Sequence, residues 1–67
     1  MDIINHHEII TYKSGDRDKY TSDYIYYDCT IYYMNMERHR DNDQPAFINP
    51  NGNQEWWING NFIRRTL

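Results

Sequence analysis

The sequence predicts an all-β fold: a small, twisted antiparallel meander of stacked β-hairpins with no long helix. Three observations carry this expectation. The 67 residues include seven Tyr, two Trp and two Phe but a single Ala and a single Leu, so strand formers outweigh helix formers. Short β-branched and aromatic runs are separated by turn residues, with no sustained helical period. Finally, similar residues recur every 21 to 24 positions, the mark of an array in which each hairpin buries its face only against its neighbours.

The elements follow in chain order. After a lead-in over 1–7, Glu8-Ile9-Ile10-Thr11-Tyr12 is a strand, and Lys13-Ser14-Gly15-Asp16 is a turn in which Gly15 is free to take positive φ. Arg17 to Asp23 alternates in charge and reads as a solvated loop. Tyr24-Ile25-Tyr26-Tyr27 and Thr30-Ile31-Tyr32-Tyr33 flank Asp28-Cys29, a two-residue connection of the length that selects primed hairpin turns. Met34 to Glu37 closes this unit, and a polar loop, Arg38 to Gln44, opens the next. Pro45-Ala46-Phe47-Ile48 is a strand with proline at its start, where a missing donor is tolerated. Asn49-Pro50-Asn51-Gly52 turns the chain, Gln54 to Ile58 returns it, and Asn59-Gly60 turns it into a last short strand, Phe62-Ile63-Arg64.

This organisation makes one domain, 1–67, with units of roughly 8–36, 37–60 and a truncated 61–67. A chain of 67 residues buries only a modest core, so an added source of stability is expected. One cysteine, Cys29, excludes an internal disulfide framework and fits a reducing compartment. Self-association is the remaining supplement, and a homo-oligomer is expected. Net charge is −3 and pI about 5.4, which speaks against duplex nucleic acid as a partner. The imbalance lies in residues 1–33, with three basic and six acidic side chains, against four of each in 34–67. Apolar runs such as Ile3-Ile4 and Ile9-Ile10 are too short for a membrane span or signal peptide, so the expected location is cytoplasmic.

The repeat is clearest where Trp57-Ile58-Asn59-Gly60-Asn61-Phe62-Ile63-Arg64 follows Tyr33-Met34-Asn35-Met36-Glu37-Arg38-His39-Arg40 by 24 residues; Tyr12-Lys13-Ser14-Gly15 lies 21 before Tyr33. The aromatic, Asn and Arg positions, with Asp41-Asn42, Pro45-Ala46 and Gly52 ahead of Trp56-Trp57, resemble a variant MORN repeat over residues 12–65. Met36 and Cys29 stand where the pattern has glycines, and Ile63 where it has a second histidine. The resemblance implies a twisted hairpin meander that serves as scaffold and binding surface. Such repeats occur in bacterial, phage and large-virus proteins.

Tyr12, Tyr33 and Trp57 share a repeat column and are the expected structural core; Tyr32 and Trp56, their neighbours, point to the opposite face. A second aromatic face suits a partner or a second copy. Arg38, His39 and Arg40, matched one repeat later by Arg64 and Arg65, form a basic group beside it. Arginine forks next to aromatic faces suit an anionic planar ligand, or simply organise the repeat turn.

No metal is expected. His6 and His7 are adjacent and would face opposite ways on a strand, and His39 and Cys29 lack the close spacing of zinc sites. Catalysis is not expected either. Cys29 has no neighbouring base, and neither Ser14 nor Ser22 sits in a nucleophile elbow. Asp16/Asp18 and Asp41/Asp43 read as solvated turn residues.

The expected function is a non-catalytic protein-interaction module. The viral associations of the repeat suggest a phage or viral protein that binds and inhibits a host defence protein. The alternative is an oligomeric sponge that sequesters a nucleotide-like signalling ligand, and no cofactor is expected in either case. Membrane-surface attachment fits poorly with the acidic balance.

Overall fold

The computed structural model describes residues 4–66 and contains six strands in one antiparallel sheet. They are β1 (His7–Tyr12), β2 (Cys29–Met34), β3 (Glu37–Arg38), β4 (Phe47–Ile48), β5 (Gln54–Ile58) and β6 (Asn61–Arg65). Met1 to Ile3 of the lead-in and Leu67 of the last unit lie outside the described residues. Among those described, no helix is long and apolar enough to cross a membrane.

The strand order is β1-β2-β4-β5-β6, with β3 also paired to β2. β3 and β4 occupy one lane beside β2 and are interrupted by the 40–45 loop. Tyr32 pinches that lane shut, accepting from the His39 N–H at 3.0 Å and donating to the Ala46 carbonyl at 2.7 Å. Turn chemistry explains the reversals. Asn35 and Met36 (φ 53° and 69°) and Asn59 and Gly60 (48° and 79°) are two-residue turns with both centres at positive φ, the hairpin type whose twist matches the strands. At β4–β5 the Asn49 side chain accepts from the N–H groups of Asn51 and Asn53, and Gly52 takes φ 85°.

The two hairpins are one unit repeated. Tyr33 pairs with Arg38 and Met34 with Glu37; 24 positions on, Trp57 pairs with Phe62 and Ile58 with Asn61. After Phe62 the register slips by one residue at a β-bulge, so that Trp56 faces Arg64.

The expected hairpin over 24–33 does not form. Asp28 and Cys29 keep negative φ, Cys29 opens β2, and β2 pairs instead with β1 along six residues, from His7–Met34 to Tyr12–Cys29. A continuous six-pair ladder outweighs local propensity in the Tyr24–Tyr27 run. Residues 13–28 become an excursion folded on itself, with Gly15 and Ile25 bonded through the backbone and an isolated bridge between Arg17 and Tyr24. The excursion closes one face of the sheet. Ile25 enters the core with Tyr12, Cys29, Ile31 and Tyr33, while Tyr26 and Tyr27 stay exposed.

The solvated reading of Arg17–Asp23 also fails at its centre. Asp18 is 2% exposed and is the hub of the core's polar network. It accepts from the Tyr33 hydroxyl (2.7 Å), the Arg38 guanidinium (3.1 Å) and the N–H groups of Tyr20 and Thr21. A buried carboxylate persists only when paired and fully bonded, and these donors supply that pairing.

Candidate interaction surface

Strand alternation and cross-strand register sort the expected site residues onto two faces. Tyr12, Tyr33, Arg38 and Trp57 lie on the face covered by the 13–28 excursion; Tyr32, Trp56 and Arg64 lie on the other. Tyr12 and Tyr33 are buried, with hydroxyls 2.7 Å apart. Trp57, expected in the core, is only half-buried, in a groove that it shares with Thr21 and Asp23 of the excursion. It makes an edge contact with Phe62, with ring centres 5.4 Å apart, and lies beneath the Arg38 guanidinium.

The basic group expected to act together is divided. Arg38 turns to the covered face, bonded to Asp18 and over Trp57. Its Nε is the one buried side-chain nitrogen or oxygen without a hydrogen-bond partner among the described residues. His39, expected at a binding surface, is 6% exposed and structural. Its Nδ1 accepts from the Asn59 N–H at 2.9 Å, which leaves Nε2 to donate to Asp41 at 2.7 Å. His39 thus ties the loop after β3 to the β5–β6 turn.

Arg40 and Arg64 remain on the open face and repeat one arrangement. Arg40 lies 3.8 Å from the Tyr32 ring centre, and Arg64 lies 3.8 Å from that of Trp56. Arg40 also donates to the Pro45 carbonyl and Arg64 to Asp43, while the Trp56 indole donates to the Asp43 carbonyl. The aromatic face that argued for self-association is therefore capped by the chain's own arginines. Arg65 lies opposite Glu55 and makes no ion pair among the described residues.

What stays open are the sheet's two edges, β1 with Ile9 exposed and, at the far end, β6. Every residue of β6 is exposed, including Phe62 and Ile63 at 48% and 55%. Ile58 and Met36 add exposed apolar surface on the two hairpins. Sequence reasoning placed the aromatic columns but missed this edge, because a strand's partner on its outer side is not written in its own residues. The isolated Phe62-Ile63 pair next to Arg64-Arg65 was the available signal.

The ionisable groups are committed to structure. Burial, then hydrogen bonds with Tyr12 and Asp18, push the Tyr33 phenol well above its ordinary range, so it remains a donor. Burial raises the Cys29 thiol. Lys19 and Tyr20 hold the Glu8 carboxyl below its ordinary value.

The chain matches no protein-family model, no curated protein and no solved structure.

Proposed function

We propose that this chain is a non-catalytic protein-interaction module, built on a variant MORN-like hairpin repeat, that binds a partner protein through its open sheet edge and the adjoining aromatic hairpin. The exposed Phe62-Ile63-Arg64-Arg65 edge carries the reading. Exposed apolar side chains next to unpaired strand backbone are a contact waiting for a partner. The sponge alternative asks for guanidinium N–H groups free to grip an anion. Arg38, Arg40 and Arg64 each spend donors inside the chain, which favours the interaction module. A phage or viral origin and inhibition of a host defence protein extend this reading by the resemblance alone.

Native mass spectrometry on gently purified protein, followed by capture from host lysate with the wild-type chain and a Phe62→Ser variant, tests the proposal. A protein captured by the wild type and lost with the variant is the expected result. A co-purifying small anion, with no protein captured, would move the reading to the sponge. The same spectra give the subunit number.

A further inference from the structure

β6 is one of the two edge strands of the sheet, β1 being the other. The chain itself shows what such an edge accepts, because the β2–β3 hairpin is the same unit as β5–β6 with its outer edge occupied. Outside β3 the Arg40 N–H donates to the Trp57 carbonyl at 3.2 Å, the Gly60 N–H donates to the Arg38 carbonyl at 2.9 Å, and Arg38 covers the Trp57 ring. The occupant there is the Trp57-to-Gly60 end of the β5 hairpin, while Glu55 of the same strand lies beside Phe47 of β4.

The two edges differ in character. Arg38, His39, Arg40 and Asp41 of the covered edge correspond, 24 positions on, to Phe62, Ile63, Arg64 and Arg65 of the open one. His39 spends both ring nitrogens within the chain, whereas Ile63 offers only exposed apolar surface. Asp41 accepts from His39, whereas Arg65 carries a charge unpaired among the described residues. The open edge is thus more apolar and more basic than the edge that the chain fills for itself.

We propose that the outer edge of β6 is a strand-addition site for an extended, acidic, aromatic-bearing segment of a partner protein, with the chain's own β5 as its internal model. This rests on the interaction-module reading and names how the partner is held. Ile58 and Asn61 close the two-residue turn, so alternation turns the N–H and carbonyl of Phe62 away from β5 and towards the added strand. Main-chain bonds of this kind give affinity, and alternate side chains give specificity. Phe62 and Ile63 receive the aromatic, and Arg65 meets the acid. A second copy of β6 fits less well, since pairing two such edges gathers Arg64 and Arg65 from both chains, and like charges across strands repel.

The test is a titration of the isotope-labelled protein, followed by amide NMR, with a synthetic peptide of the sequence of residues 53–60. A second peptide carries Lys in place of its Glu. The expected result is saturable shifts centred on Asn61–Arg65. Affinity falls about tenfold with the Lys peptide or with Arg65→Glu, and recovers when those two are combined, the outcome of a charge reversed on both sides. Thermal melts of Arg65→Glu are recorded alongside, and the wild-type titration stands whether or not that variant folds. Shifts centred on Tyr32 and Trp56, equal binding of both peptides, or shifts at β4 from displacement of the resident β5 would each overturn the site. So would dilution-dependent β6 shifts that the peptide does not compete away, the signature of self-pairing. A captured partner protein that leaves amide exchange of β6 unchanged would overturn the edge site and its place in the proposed function, and leave only that the chain binds a protein.

Discussion

The phenol hydroxyl of Tyr33 donates to the carboxylate of Asp18 at 2.7 Å, across fifteen positions of sequence. A carboxylate only accepts, so Tyr33 spends its single proton there and must accept from Tyr12, 2.7 Å away; Tyr12 in turn accepts from the Lys19 N–H. All the donors in this buried chain run towards Asp18, and Arg38 meets it from β3. Asp18→Asn removes the charge that Arg38 pairs with and turns one accepting oxygen into a donor facing donors. A loss of about 3–5 kcal/mol is expected, read from urea melts at neutral pH.

The same carboxylate sets a pH dependence. Burial tends to raise its pKa from the ordinary 3.8, but bonds from Thr21, Tyr33, Tyr20 and Arg38 more than offset this and hold it lower. A folded-state pKa below the unfolded one contributes stability that is complete above the unfolded value and lost as pH falls through the folded value. Wild-type stability should therefore decline below about pH 4. Glu8 is also held low and acts in the same direction, so the diagnostic comparison is between variants. Asp18→Asn should show a shallower acid slope than wild type; equal slopes would remove Asp18 from the account.

The two primed turns give a matched pair of substitutions. Met36 sits at φ 69° where its repeat partner is Gly60, and its side chain is 64% exposed, so little packing is lost with it. Met36→Gly relieves the left-handed penalty and should stabilise by about 1 kcal/mol, or about 4–8 °C in Tm. Gly60→Ala does the reverse. Its Cβ at φ 79° would lie 2.8 Å from a Glu37 carboxylate oxygen, so Glu37 must shift and the backbone is strained. A loss of about 1–2 kcal/mol is expected.

What could be read from the residues was local. The alternation of Tyr32 with Tyr33 and of Trp56 with Trp57, the Asn-Gly turns and the 24-residue hairpin unit all depend on neighbours in sequence. Asp18 was not legible, since between Arg17 and Lys19 it has the look of a solvated loop. Its burial depends on Tyr12, Tyr33 and Arg38, which arrive from three other segments. The Tyr24–Tyr27 run misled in the opposite sense: strong strand formers were left outside the sheet because β1 offered β2 a longer ladder. His39 was misread for a related reason. Its acceptor role needs the Asn59 N–H, twenty positions away.

His39 supplies a prediction that does not depend on its titration. With Nδ1 accepting from the backbone, the neutral ring must be the Nε2–H tautomer, which long-range nitrogen–proton NMR of the imidazole reads directly. His39→Phe keeps the bulk but strands the Asn59 N–H, and should cost about 1–3 kcal/mol. An Nδ1–H tautomer in the wild-type protein would contradict the arrangement.

The paired tryptophans should separate by what each holds in place. Trp56 anchors the 40–45 loop through its bond to the Asp43 carbonyl and stacks with Arg64, which itself bonds Asp43. Trp57 joins the two repeat units, touching Phe62 on β6, Arg38 on β3 and Glu55 on its own strand. Trp56→Ala should therefore loosen one loop, for about 1–2 kcal/mol, with faster amide exchange confined to residues 41–44. Trp57→Ala removes an aromatic pair and a stacked guanidinium together, and should cost about 2–3 kcal/mol because the ring is only half-buried. Faster exchange should then spread across both hairpins. If Trp56→Ala instead destabilises the whole sheet and Trp57→Ala leaves exchange in β3 and β6 unchanged, the seam between the units runs through the open face.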